Sequence, residues 1–492
     1  MVATAGIETI RVLAAGYSQV PVWRVLDEDT RDPSEVFCVL KARSPQAYIL
    51  ESLLDDKNGR GRYTFLGYDP KAEVVVMDGQ LRFRWFSGDK APSPVAVAST
   101  PADYLTKLIA AYRAPVIPEL PPFTGGLVGY FAYDYFKYAE PTLKLDAVDL
   151  DGFRDADFLL FDKVIAYDHD EHKLYLIVNA DTAALEENYR QAVNELDALE
   201  EMLRTGEPLD MPALHLTSPW QQLFDEQHFA QLVERAKRYI FEGDIFQVVL
   251  SNRLDAAATG SLFGSYQRLR EINPSPYMFY FASDDIEIAG ASPETLVRSR
   301  GGYVATFPLA GTRPSGETLA DNDRLAAELL ADPKERAEHN MLVDLARNDI
   351  GKIAEFGSVA VTDYLSVLRY SHVMHLGSTV VGKLRSAVSP LDVIGAILPA
   401  GTLSGAPKIR AAAIINELEG IKRGVYGGAF GYLGFNGELD TCIAIRITYK
   451  KNGRVFVRSG AGIVADSVPE SEYAECRNKA AAVIQAVAGA AA

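Results

Sequence analysis

Cysteine is nearly absent from this sequence: Cys38, Cys442 and Cys476 lie far apart, and none belongs to a Cys-x-x-Cys pair. That argues against a disulfide framework and a zinc site, and it fits a reducing cytoplasm. Also missing is any apolar run approaching the roughly eighteen residues of a membrane-spanning helix. The N-terminus has no basic stretch leading into a hydrophobic core, as a secretory signal requires. Positive charge is in short supply: 49 Lys and Arg against 66 Asp and Glu leave a net charge of −17. Such a balance disfavours nucleic acid and anionic membranes as partners. An anionic substrate then needs local positive groups, from a metal, from arginines or from backbone N–H groups.

What is present is enough chain, 492 residues, for two or three domains with a large core. The first half is rich in strands. Ala72–Met77 and Gln80–Phe86 around Asp78-Gly79 read as a hairpin with a type I′ turn, and Phe158–Tyr167 with Lys173–Asn179 as another. A helix is expected over 183–203, then a proline-containing linker over 205–219. Beyond it come an amphipathic helix over 225–242, a strand over 245–254 and a long helical region over 318–349. Three closing strands, 428–435, 439–449 and 454–460, are separated by Asn436-Gly437 and Asn452-Gly453. Consecutive hairpins mean antiparallel sheet, not a doubly wound nucleotide fold. Gly125-Gly126-Leu-Val-Gly129-Tyr130 is echoed by Gly427-Gly428-Ala-Phe-Gly431-Tyr432, as two related sheets packed face to face would show. The expected fold is α+β: two interleaved domains, 1–219 and 220–492, whose large antiparallel sheets form a sandwich with helices outside.

Chemistry concentrates in the second half. In Lys334–Leu345, at about 100° per residue, Glu338 shares a helix face with Met341, Leu342 and Leu345, and Glu335 borders it. A carboxylate on an apolar stripe is costly unless a positive group meets it. Glu472, Glu475 and Lys479 repeat the pattern on a face that continues through Val483 and Val487. Two readings remain: glutamates at the rim of a core, or two Glu-x-x-Glu helices holding a hard cation such as Mg²⁺, which takes oxygen ligands. Gly401-Thr402-Leu-Ser404-Gly405-Ala-Pro-Lys408 has the wrong spacing for a phosphate loop and reads equally as a turn capping the helix from Lys408. His372 and His375 lack a third metal ligand, and either is an acid–base candidate or a core histidine. Arg446, in an apolar strand, either reaches solvent or pairs with a carboxylate. Gly460-Ala461-Gly462 reads as a turn whose N–H groups hold an anion. The set suits a small polycarboxylate.

Over nearly the whole chain these motifs resemble the chorismate-utilising enzymes, and within them the anthranilate synthase branch. The anchors are Gly290–Glu294, Pro308–Thr312, Lys334–Asp349, Arg369–His375, Pro399–Lys408, Gly460–Asp466 and Glu472–Lys479. The resemblance implies a two-domain α+β fold, Mg²⁺ and chorismate. By it, Glu338 and Glu475 are metal ligands, with Glu335 and Glu472 supporting through water. Arg446, Tyr426 and Gly460, Ala461 and Gly462 hold the enolpyruvyl carboxylate, with Lys479 and Thr402 near the ring and Ala310, Gly311 and Thr312 at the substrate. Glu294 is the implied general acid as ammonia adds at C2, and His375 serves the later loss of pyruvate.

Two positions bear on the choice among members. Gln247 stands where isochorismate and salicylate synthases carry a water-activating lysine, and Ala310 where aminodeoxychorismate synthases commonly carry a nucleophilic one. The resemblance also implies a tryptophan-inhibitor site at Leu50, Glu51, Ser52, Pro276, Tyr277, Met278, Phe430 and Tyr432 in the sheet-rich first half and its companions. It implies a separate glutamine amidotransferase subunit, since no cysteine lies in a glycine-flanked nucleophile turn. Aminodeoxychorismate synthase component I and a non-catalytic tryptophan sensor are the alternatives.

Overall fold

The structure is a computed structural model that describes residues 3–27, 31–53, 61–86, 100–314, 316, 318–369 and 373–489. Its two sheets are antiparallel, and each draws strands from both sides of residue 219. Across the centre of the first sheet run Tyr63–Tyr68, Ala47–Glu51, Tyr277–Ala282, Ile286–Ser292, Ile447–Lys451, Arg454–Ile463 and Gln247–Thr259. The second passes through Val373–Lys383, Tyr303–Thr306, Thr295–Arg300, Leu439–Ile443, Ala429–Gly434, Gly126–Phe131 and Ala156–Phe161. Their inner faces share one aromatic-rich core, in which Phe279 of the first sheet stacks on Phe430 of the second at 4.0 Å between centroids. Helices cover the outer faces, with Pro469–Gly489 over the first sheet and Pro333–Gly351 with Pro390–Ile397 over the second. Among the described residues no helix is long and apolar enough to cross a membrane.

Local chemistry explains most elements. Asp78 and Gly79 both adopt positive φ, as do Asn452 and Gly453, which gives the primed turns that match strand twist. The helical region over 318–349 is two helices, Leu319–Ala331 and Pro333–Gly351. Pro333 cannot continue the first and suits the opening of the second, where Asp332 accepts from Lys334 N at 2.9 Å and Glu335 N at 3.3 Å. The segment 205–219 is strapped to a sheet edge: His215–Leu216 pairs with Thr259 and Ala258.

Three expectations are corrected. The stretch 158–167 is two strands, Ala156–Phe161 in the second sheet and Lys163–Asp168 in the first, stepping across at Asp162. The stretch 439–449 likewise breaks into Leu439–Ile443 and Ile447–Lys451. Arg446 therefore sits at a crossover, with φ +53°, not inside a strand. Each stretch is strand-like on both sides of a charged spot, Asp162-Lys163 in one and Arg446 in the other, and a charge inside a strand is as compatible with a solvent-facing position as with a change of sheet. The glycine echo joins neighbours within one sheet, with Gly129 opposite Gly431. A Cβ on Gly129 would lie 1.9 Å from Asp157 O and one on Gly431 2.1 Å from Asp440 O, so both glycines serve close strand approach.

Beneath the strand ends, Glu419 of the helix Lys408–Glu419 is buried between Arg423 and Arg458. It accepts from Arg458 at 2.6 Å, from Ser251 N at 2.8 Å and from Ser251 Oγ at 2.9 Å. Burial pushes its carboxyl up, but the two guanidiniums prevail and hold it below the usual range. Removing one partner of a buried pair leaves an uncompensated charge. Glu419→Gln is expected to cost about 3–5 kcal/mol at pH 7, read as a lower urea midpoint; an unchanged midpoint would refute the network's structural role.

Candidate active site

Two crossovers between the sheets lie side by side. In one, Pro293-Glu294 links Ile286–Ser292 to Thr295–Arg300; in the other, residues 444–446 link Leu439–Ile443 to Ile447–Lys451. Backbone bonds tie them: Ile443 N donates to Glu294 O at 3.0 Å and Ala291 N to Arg446 O at 3.1 Å. They open into a cavity of about 1140 Å³, walled by the helices Pro333–Gly351 and Pro469–Gly489.

Glu294 is 9 % exposed and faces this cavity. The Thr402 hydroxyl, on the short turn Gly401–Leu403, donates to its Oε1 at 3.1 Å. Burial raises its pKa to about 7, against smaller opposing pulls from Thr402 and Lys479. A carboxyl still half protonated at neutral pH is suited to give up a proton. His375, on the strand Val373–Lys383, sits across the cavity with Nδ1 3.0 Å from Gly311 O. A carbonyl only accepts, so Nδ1 carries the proton and Nε2 is the basic nitrogen. Burial lowers the His375 pKa, which keeps the ring neutral. Gly311 has φ +70° at a register shift between Ala310 and Thr312, and a Cβ there would meet Glu335 Oε2 at 3.0 Å. Glycine is thus required to turn that carbonyl toward the imidazole.

Arg446 lines the cavity and donates to Lys479 O at 2.9 Å. Among the described residues no carboxylate pairs with it, and burial lowers its pKa. A desolvated guanidinium in a cavity is a ready anchor for an anion. Tyr426 and Gly460 approach closely enough that a Cβ on the glycine would lie 2.9 Å from the phenol oxygen. Gly460, Ala461 and Gly462 form no turn: they end the strand Arg454–Ile463, paired with Ser251, Leu250 and Val249. The alternation of a strand puts Gly460 and Gly462 on the cavity and Ala461 in the core behind. Gln247 and Ala310 also line the cavity, and Gln247 Oε1 is buried without a protein partner. The side chain of Thr312 and the whole of His372 lie outside the described residues.

Glu335, Glu338, Glu472 and Glu475 all line the same cavity, brought there by the two helices. Burial, then the Glu335 and Glu475 carboxylates, raise the pKa of Glu338; Glu472 is raised by burial and by Glu475. Glu335 pairs with Arg313 at 3.2 Å and Glu475 with Lys479 at 2.6 Å. Among the described residues no three such groups already stand together as a metal cage. The donors are nonetheless hard oxygens that repel one another, the setting in which a divalent cation is favourable. Lys408, by contrast, is buried on Asp349 at 2.6 Å and Ile397 O at 2.7 Å, so its ammonium is committed to holding these elements together.

A second cavity, of about 570 Å³, brings together Leu50, Glu51, Ser52, Pro276, Tyr277, Met278, Phe430 and Tyr432. Glu51 is buried there, accepting from Tyr266 at 2.6 Å and paired with Arg270 at 2.7 Å. Arg298 and Asp440, which sequence reading missed, line it as well. The Glu419–Arg423–Arg458 group was also missed, although Glu419 and Arg423 stand at the i, i+4 spacing of a helical ion pair.

The sequence model of the chorismate binding enzyme family matches residues 51–485. Anthranilate synthase component 1 of Acetivibrio thermocellus is 41 % identical over 489 residues, covering 98 % of each chain. That of Acinetobacter calcoaceticus is 43 % identical over 484 residues, covering 96 % of each. The crystal structure of anthranilate synthase component I from Streptococcus pneumoniae TIGR4 is 37 % identical, with a TM-score of 0.73 over 88 % of this chain and 94 % of that one. A menaquinone-specific isochorismate synthase from Escherichia coli, 22 % identical with a TM-score of 0.69 over 98 % of each chain, shares the fold.

The Glu294 environment has a measurable consequence for stability. Its folded pKa of about 7 lies above the ordinary 4.5, so the folded state binds the proton more tightly, and stability falls as pH rises from 4.5 through 7. Glu294→Gln removes that loss. The variant is expected to gain about 3 kcal/mol over the parent at pH 8 and almost nothing at pH 4.5. Equal gains at both pH values, by urea unfolding, would contradict the raised pKa.

Proposed function

The chain belongs to the chorismate binding enzyme family, and from that membership we propose that it makes anthranilate and pyruvate from chorismate and ammonia, the first step of tryptophan biosynthesis. The observation that carries this reading is the pairing, in one cavity, of a carboxyl poised to donate a proton at neutral pH with a half-buried arginine that has no carboxylate of its own among the described residues.

In this reading Arg446 takes the enolpyruvyl carboxylate, with Tyr426 and the edge at Gly460 shaping its seat. Ammonia forms the new bond at C2 as the C4–O bond breaks, and Glu294, held by Thr402, protonates the departing hydroxyl so that it leaves as water. Nε2 of His375 then removes the C2 proton, and the C3–O bond breaks to release enolpyruvate, which picks up a proton as pyruvate. The gain of an aromatic ring drives this second step. Glu338 and Glu475, supported by Glu335 and Glu472, would hold Mg²⁺, whose positive charge orients and neutralises the ring carboxylate in a protein of net charge −17. Lys479 lies beside this group, 3.1 Å from Gly460 O.

Gln247 has no basic nitrogen with which to activate water, and Ala310 offers no amine to attack C2; both favour free ammonia as the nucleophile. The relatives named component 1 support a second component that supplies the ammonia. This chain's own thiols are unsuited to releasing it from glutamine. Cys38 is half-buried with its pKa pushed up to about 11 by burial, and Cys442 and Cys476 are buried and raised further. A glutamine amidotransferase is the partner proposed. For the second cavity we propose L-tryptophan as a feedback inhibitor, which fits its aromatic walls and its buried Glu51. The three reduced cysteines suit a cytoplasmic setting.

Anthranilate is fluorescent, which makes the test direct. The full chain with chorismate, Mg²⁺ and ammonium is expected to yield anthranilate and pyruvate in equal amounts, and excess EDTA to abolish both. An absence of anthranilate, or 4-amino-4-deoxychorismate as product, would overturn the assigned reaction. For the second cavity, Ser52→Phe fills space beside Glu51 and is expected to raise the tryptophan concentration for half inhibition by about ten-fold or more. An inhibition curve identical to the parent's would remove tryptophan from that cavity.

A further inference from the structure

The two cavities are linked through one short path, from Glu294 to the next residue, Thr295, and from there to Tyr277. Glu294 lines the larger cavity, and Thr295, the next residue, turns to the other side and is buried. There the hydroxyl of Tyr277, a residue of the second cavity, lies 3.0 Å from Thr295 Oγ1 and donates to Asp440 Oδ1 at 2.7 Å. Asp440 is held from its other oxygen by Arg298 Nε at 3.0 Å. The strand carrying these residues is irregular at this point: Thr295 pairs with Cys442 but Val297 with Thr441, a register shift of the bulge type. Bulges re-aim side chains, and this one begins immediately after Glu294. On the near side of the bulge, Ser292 Oγ donates to Ile443 O at 2.7 Å and Ile443 N donates to Glu294 O. The backbone of Glu294 is thereby clamped before and after by polar bonds, and the bonds after it come from the wall of the second cavity.

We propose that Tyr277 is a positioning residue for Glu294: its hydroxyl, shared with Asp440 and Thr295, pins the bulge that aims the Glu294 carboxyl at Thr402 and the larger cavity. Without the Tyr277 hydroxyl, Thr295 and Asp440 both lose a polar contact beside the bulge, the bulge relaxes, and Glu294 moves away from its partner toward better-solvated space. A molecule seated against Tyr277 would act on the acid through a single peptide bond; that corollary, and the role of Glu294 as acid, rest on the function proposed above.

The test uses the full chain as Tyr277→Phe, Thr295→Val and the double variant. Each single change is expected to lower kcat at saturating ammonium by about ten-fold while KM for chorismate stays within about two-fold, the mark of lost aim and not of lost binding. The fall of kcat as pH rises past about 7 should move to lower pH, because a better-solvated Glu294 ionises more easily. The double variant should be no slower than the slower single, since both changes remove the same Tyr277–Thr295 bond. Parental kcat and pH profile in Tyr277→Phe, losses that multiply in the double, or a change confined to KM would each overturn the proposal. Infrared difference titration of the Glu294 carboxyl, referenced to Glu294→Gln, reads the same bond without turnover. A carboxyl that titrates at the parental pH in Tyr277→Phe overturns the positioning role, whereas a parent chain that makes no anthranilate overturns the assigned reaction alone.

Discussion

Glu419 and the two arginines around it form the constraint on which the larger cavity depends. The side chains come from three places: the end of the helix Lys408–Glu419, the segment after it, and the strand Arg454–Ile463. Each spare donor is used to tie down a further element. Arg423 reaches Leu403 O at 2.6 Å and Val249 O at 2.7 Å, and Arg458 reaches Ser251 Oγ at 2.8 Å and Lys422 O at 3.0 Å. Leu403 follows Thr402, the partner of Glu294, and Val249 lies two residues after Gln247. A group this deep has no net advantage over apolar packing by burial alone. Its value lies in geometry, because four backbone positions in and behind the cavity wall, at Val249, Ser251, Leu403 and Lys422, answer to one carboxylate.

The same logic bears on two cavity residues, Glu294 and Arg446, that stand at sheet crossovers. Residues within a paired strand spend their backbone bonds on neighbours, and their side chains alternate between two already filled faces. Where the chain steps between sheets, a side chain is released from that alternation. Glu294 and Arg446 occupy two such steps, tied to each other by main-chain bonds. The cost is local: Arg446 adopts positive φ, and burial acts against the charge of both groups.

Local chemistry in the sequence foretold a good deal of this. The Asp78-Gly79 and Asn452-Gly453 turns, the amphipathic helices and the antiparallel class follow from residue types acting over a few positions. The glutamates on apolar helix faces and the glycine-flanked site segments also drew notice from the residues alone, and the family resemblance gathered residues that the fold brings to two cavities. What escaped was long-range. A charged spot in an otherwise strand-like stretch does not say that the chain changes sheets at Asp162 or Arg446, and the glycine echo gives a likeness of strands without saying that they are neighbours. Gly460–Gly462 looked like a turn because glycine usually signals one, yet here it admits Tyr426 and Gln247 to a strand edge. Glu419, Arg423 and Arg458 meet only through tertiary structure, as do Tyr277, Thr295 and Asp440.

The pairing of Gly126–Phe131 with Ala429–Gly434, and of Ala47–Glu51 with Tyr277–Ala282, stitches the two halves of the chain together inside each sheet. Cutting the polypeptide in the segment 205–219 would leave both pieces with bare, apolar strand edges that invite association with any other chain. The second half of the chain is therefore not a cassette that can be lifted out, fused elsewhere or inherited separately. Gene fission at the apparent midpoint would yield two insoluble fragments or an obligate pair, and the halves are bound to evolve as one unit.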